Sequence, residues 1–102
     1  MAFDNTRERY TSFGVATSLS HDLINTIWDI LDNYLKGVVS LDEQLTFHLI
    51  KNGNKLSIQY VDDNSNISIV FDYMVTFDPF FPRTIYLIDE SGIETILLPY
   101  EL

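Results

Sequence analysis

Apolar and polar residues alternate most regularly in "LTFHLIKNGNKLSIQY", residues 45–60. Asn-Gly is a preferred two-residue hairpin turn, so the pattern predicts two strands folded about Asn52-Gly53. Folding there sets Leu49 opposite Leu56, Phe47 opposite Ile58, and Leu45 opposite Tyr60, giving one wholly apolar face. The other face pairs His48 with Ser57 and Thr46 with Gln59. A one-residue slip would exchange the faces, so burial determines which side chains point inward. A second reversal at Asp62-Asp63-Asn64-Ser65 extends the same face, bringing Tyr60 to Ile67, Ile58 to Ile69, and Leu56 to Phe71. "RTIYLIDESGIETILLPY" predicts two more strands around Asp89-Glu90-Ser91-Gly92. Both faces of this hairpin are apolar, Ile85 and Leu87 on one, Tyr86 and Ile88 on the other. The pattern does not decide which looks inward.

Upstream, "RYTSFGVAT" reads as a first strand with Thr11, Phe13 and Val15 on one side, and Gly14 marks a bulge or a close backbone approach. The period then changes to that of a helix in "SLSHDLINTIWDILDNYLKG". Ile24, Ile27, Trp28, Leu31, Tyr34 and Leu35 form its apolar stripe. Ser20 is the expected N-cap and Gly37 the stop. Asp22, Asn25, Asp29, Asp32 and Lys36 face solvent, with Asp32 and Lys36 a favourable pair four residues apart. The predicted fold class is α+β: one amphipathic helix packed on a curled antiparallel sheet of five or six strands, in a single domain over residues 1–102.

Composition narrows the function. Fifteen acidic residues against six basic ones give a net charge of −9 over 102 residues. Such a surface repels phosphate backbones and anionic membranes and attracts basic protein surfaces. Direct nucleic-acid binding and membrane association are therefore not expected. The chain has no cysteine, which rules out disulfides and thiolate metal sites and suits a cytoplasmic location. No apolar run approaches the roughly 18 residues of a membrane span.

Catalytic signals are sparse. The four glycines are widely spaced and each has a local structural use, so no phosphate-cradling loop is expected. His21 and His48 lack the spacing of metal ligands. Asp72 is the nearest candidate for a tuned carboxylate, and decoration of a sheet face accounts for it better. The expectation is a protein with no catalytic residue, no metal and no cofactor.

Topology makes more of the acids. Alternate turns of an antiparallel sheet lie at the same end, so Asp42, Glu43, Asp62, Asp63, Asp89 and Glu90 are expected to share one pole. Turn chemistry explains Asp62 and Asp89, because Asp accepts hydrogen bonds from nearby backbone. Glu43, Asp63 and Glu90 have less local reason to gather where like charges repel. The opposite pole holds Lys51, Lys55 and "DPFFPR", residues 78–83. Of Phe80 and Phe81, at least one is expected to plug the core and the other to be free to anchor a partner.

"FDNTRERYTSFGV", with "IWDILD" in the following helix, resembles a family of small uncharacterised proteins from Gram-positive bacteria and their mobile elements. Arg9, Tyr10, Thr11, Gly14, Val15 and Trp28 carry the likeness. The resemblance implies no catalytic residue. By analogy with small acidic proteins of mobile elements, it implies an inhibitor of a basic nucleic-acid-handling effector, anti-CRISPR-like, presenting carboxylates where the effector expects phosphates. The leading expectation is thus a non-enzymatic binding protein whose partner is a basic protein surface such as a CRISPR nuclease. It would make contact through the acidic pole, with Asp29 and Asp32 as the second choice. The alternative is a housekeeping or regulatory interaction module, a homodimer through an exposed sheet edge being one form of it. A hydrolase using His48 and Asp72 ranks below both.

Overall fold

The computed structural model describes residues 3, 6–38, 41–62 and 66–102, apart from the Met74 side chain. Strand β1 (Glu8–Thr11) leads into two helices, α1 (Phe13–Ser18) and α2 (His21–Ile30). The strands β2 (Gln44–Asn52), β3 (Lys55–Asp62), β4 (Ile67–Thr76), β5 (Thr84–Glu90) and β6 (Ile93–Leu97) follow, and a short 3-10 turn spans Pro99–Glu101. Among the described residues six strands join one sheet in the order β1-β6-β5-β2-β3-β4.

This corrects the expected architecture. The molecule is dominated by its sheet, and the sheet is mixed: β1 pairs parallel to β6, while the other pairs are antiparallel. Hairpin signals report only neighbouring antiparallel strands, whereas β1 and β6 meet across most of the chain. The first strand is also shorter than its pattern suggested. Ser12 ends it by capping α1, its Oγ accepting from the Val15 amide at 3.2 Å. Helical geometry then breaks the alternation of Thr11, Phe13 and Val15, leaving Phe13 exposed and Val15 buried. Gly14 sits in α1 and makes a close approach, not a bulge. An added Cβ would meet Leu98 Cδ1 at 2.8 Å and both Glu101 carboxylate oxygens at 2.9 Å.

α2 begins as expected, with Ser20 Oγ accepting from the Leu23 amide at 3.2 Å. After Ile30 the helix widens into a π turn over Leu31–Leu35, and the Lys36 amide donates to the Leu31 carbonyl at 3.0 Å. The added residue per turn shifts the phase of the apolar stripe. Leu35 is buried while Tyr34 is 57% exposed. Ahead of the π turn, Leu23 and Ile30 also join the core at helical spacing from Ile27, although the predicted stripe omitted them. Gly37, at φ 77°, lies just beyond.

Both early hairpins keep the predicted faces but shift register by two residues. Leu49 pairs with Ile58, Phe47 with Tyr60, His48 with Gln59 and Thr46 with Val61. The loop is Gly53-Asn54, with the left-handed φ of 63° at Gly53 alone, as a turn with glycine in its first central position requires. A shift of two leaves every side chain on its predicted side. Likewise Tyr60 faces Ile69, Ile58 faces Phe71 and Leu56 faces Tyr73. The last hairpin turns at Ser91-Gly92, both left-handed at 55° and 92°, so Asp89 and Glu90 belong to β5.

The core forms between the helices and one sheet face, where Leu45, Phe47, Leu49, Leu56, Ile58, Tyr60, Ile85, Leu87 and Ile96 are buried. Ile85 and Leu87 thus look inward, and Tyr86 and Ile88 look out from the face the described elements leave uncovered.

Candidate interaction surface

Strand directions bring the starts of β2 and β6 and the ends of β3 and β5 to one end of the sheet. There the Asp89 amide donates to the Glu43 carbonyl at 2.8 Å, holding Asp89 of β5 beside the residue that precedes β2. Asp42, Glu43 and Glu90 are exposed and Asp62 is half-buried. Asp63 lies outside the described residues. Asp42, Asp62 and Tyr60 line a shared groove of about 200 Å³. Burial raises the Tyr60 hydroxyl above its ordinary pKa, and the charges of Asp62 and Asp42 push it further. The groove therefore holds its negative charge against a nearly buried ring.

Asp89 is different. Its Oδ1 accepts from the Gly92 amide at 2.9 Å and its Oδ2 from the Phe3 amide at 2.8 Å. Both oxygens serve the chain itself, closing the β5–β6 turn and holding the Phe3 backbone. Its cross-strand partner is another carboxylate, Glu94, which is fully buried. Like charges facing each other cost stability unless each has donors. Glu94 accepts from Arg9 Nε at 2.8 Å and from Thr6 Oγ1 at 2.6 Å.

The second-choice carboxylates separate in the same way. Asp29 is exposed on α2. Asp32 is gripped by the Arg9 guanidinium, Nη1 donating to Oδ2 at 2.8 Å and Nη2 to Oδ1 at 2.6 Å, with Lys36 Nζ at 3.3 Å. The Arg9 hydrogen bonds are the largest cause holding the Asp32 carboxyl below its ordinary pKa. Asp32 is thereby tied up by the protein's own cations and leaves the set of docking residues. Arg9 is the centre that pattern reasoning missed, since it also lies over the Trp28 ring at 4.7 Å. The signal was present: Arg9 alternates with the outward-facing Glu8 and Tyr10, so it had to point into the core side and find a partner there.

The opposite end carries Lys51, Lys55 and Arg83, all exposed. The connection through residues 77–83 is pinned there, the Phe77 amide donating to the Asn54 carbonyl at 2.9 Å and the Leu49 amide to the Arg83 carbonyl at 2.9 Å. Phe81 is half-buried against the core and meets Phe77 edge to face at 6.1 Å. Phe80 is 93% exposed. The backbone forces this split: Asp78 Oδ1 accepts from the Phe80 amide at 2.9 Å and the Asp78 carbonyl from the Phe81 amide at 3.0 Å, a tight turn that sends the rings apart.

His48 and Asp72 do not form a catalytic pair. They lie on β2 and β4 with β3 between, about 10 Å apart by strand spacing alone. His48 Nδ1 is 3.1 Å from Thr84 Oγ1, and Asp72 accepts from Ser57 Oγ at 2.8 Å. Among the described residues no three His, Asp or Glu side chains are grouped to hold a metal, and no helix is long and apolar enough to cross a membrane.

A family model described as "Staphylococcal protein of unknown function (DUF960)" matches residues 8–101. The chain is also similar to a solved structure, a protein of unknown function from Enterococcus faecalis. The two are 38% identical with a TM-score of 0.93, over 100% of this chain and 96% of that one. No curated protein matches.

Proposed function

The chain belongs to that family of unknown function, and from this premise, which brings no activity with it, we propose that it is a non-enzymatic binding protein whose acidic sheet end docks on a basic protein surface. One observation carries the reading. Asp42, Glu43, Asp62 and Glu90 converge at one end of the sheet and outnumber Arg7 there, whereas Lys51, Lys55 and Arg83 outnumber Asp78 at the other. Segregated charge of this kind orients an approaching partner and raises its encounter rate. A nucleic-acid-handling effector such as a CRISPR nuclease is a narrower partner suggested by charge mimicry alone. Neither the geometry nor the relatives add to it, so the proposal is held at basic protein surfaces in a cytoplasmic setting.

Affinity capture from a Gram-positive bacterial lysate tests the reading, comparing the native chain with a Glu43→Lys, Glu90→Lys variant. Both positions are exposed and outside the core, so the variant is expected to fold. The native chain should retain basic proteins at low salt and release them as salt rises, because exposed charges are screened within about 10 Å at 0.1 M. The variant should retain none of them. An identical retained set for the two folded proteins overturns the assignment.

A second reading rests on Phe80, an exposed aromatic at the basic end that suits the anchor of an ordinary protein contact. Capture that ignores salt and is lost with Phe80→Ser selects it.

A further inference from the structure

We propose that two copies of this chain pair through the β4 edge, antiparallel about a two-fold axis at Val70, joining their sheets into one. This goes beyond the acidic-end reading and does not depend on it. β4 ends the sheet order, so one side of it has no strand partner among the described residues. Edge strands are ordinarily protected by lysine, proline or a short length. Ile67–Tyr73 has none of these, and its one charged residue is Asp72.

Geometry selects the register. β4 pairs regularly with β3 from Ile67 to Tyr73, and beyond Tyr73 the register shifts. The centre of the regular stretch is Val70, which is 50% exposed. A two-fold there uses the whole stretch and sets Ile69 against Phe71, Ile67 against Tyr73 and Ser68 against Asp72 of the second copy. Directly opposed residues share a face in antiparallel pairing. The four apolar residues lie on the helix side, already half-buried against the core. The polar pair lies on the outer face, where Ser68 Oγ accepts from Gln59 Nε2 at 2.7 Å and keeps its own proton to donate to the facing Asp72.

Charge favours a second copy in this orientation. Antiparallel pairing reverses the second molecule, so the acidic end of each lies beside the Lys51 and Lys55 end of the other. Parallel pairing would set acid against acid. The exposed ring of Tyr34, tilted at 58° against Phe71 with centroids 5.3 Å apart, packs on the same strand and gains cover.

Light scattering and sedimentation on the full chain should give twice the chain mass, falling on dilution. Val70→Lys and Val70→Glu should each give the mass of one chain, because like charges then face each other at the axis, and an equal mixture should recover the dimer. In a second test Val70→Cys, the one thiol in a chain without cysteine, should oxidise to a cross-linked dimer, whereas Gln44→Cys should not. A native chain that stays monomeric at high concentration, or single Val70 charge variants that stay dimeric, overturns the proposal.

Discussion

Arg9 and Asp32 meet fork to fork, with both guanidinium ends bonded to both carboxylate oxygens at 2.8 and 2.6 Å. The pair ties the edge strand β1 to the π turn after α2, and through Arg9 Nε it extends to the buried Glu94. The two acids depend on Arg9 unequally. Asp32 is 38% exposed and water replaces much of a lost partner, whereas Glu94 at 0% has no such recourse. Arg9→Ala should therefore cost about 3 kcal/mol or more, the penalty of stranding a buried charge. Asp32→Asn should cost about 1 kcal/mol or less. Urea unfolding of the two variants checks the order, and equal losses would sink the account.

The same contacts set a pH dependence. Asp32 and Glu101 both have carboxyl pKa values lowered in the folded chain, Asp32 chiefly by the Arg9 hydrogen bond and Glu101 chiefly by that from Ser12. A lowered folded pKa means the unfolded chain binds protons first as acid is added. The contribution is thus complete above the ordinary values of 3.8 and 4.5 and is lost as pH falls through the lower folded values. Unfolding free energy should fall steadily below about pH 4.5. Asp32→Asn should flatten that slope while leaving the decline due to Glu101, a difference readable by acid titration of circular dichroism.

Gly14 opposes ordinary helix propensity. It lies in α1, where alanine would normally gain about 1 kcal/mol. Its added methyl would strike the Glu101 carboxylate, which accepts from Ser12 Oγ at 2.5 Å, the Leu98 amide at 2.9 Å and the Gly14 amide at 3.1 Å. Moving that carboxylate disturbs all three hydrogen bonds at once and offsets the propensity gain. Gly14→Ala should lower the melting temperature, and a rise would show that the 3-10 turn yields freely.

What could be read in advance follows from how far each signal reaches along the chain. The inward sets of β2, β3 and β4 were legible because period-two alternation survives any even shift of register. The register itself was not, since choosing Gly53-Asn54 over Asn52-Gly53 depends on a left-handed φ at a single residue. The parallel β1–β6 pair and the Arg9–Glu94 contact join residues some 85 positions apart, where no local pattern speaks. Of the acidic end, convergence was legible because it needs only strand directions. The engagement of Asp32 and Asp89 was legible only in part: the Lys36 pair and the Gly92 turn bond are local, whereas Arg9 and Phe3 reach these carboxylates from distant segments.

Phe80 and Phe81 give the sharpest contrast between neighbours. Phe81 packs against Phe77 and the core, so Phe81→Ala should cost about 2 kcal/mol, less than for a fully buried ring because the site is only half enclosed. Phe80 is 93% exposed, and Phe80→Ser should change stability by about 0.5 kcal/mol at most. The pair also separates packing from binding. A stable Phe80→Ser variant that loses its captured partners places a contact at the basic end, whereas one that keeps them in a salt-sensitive way leaves the acidic end as the docking surface. Thermal unfolding of both variants, run beside the capture assay, decides which ring serves the fold and which is free for a partner.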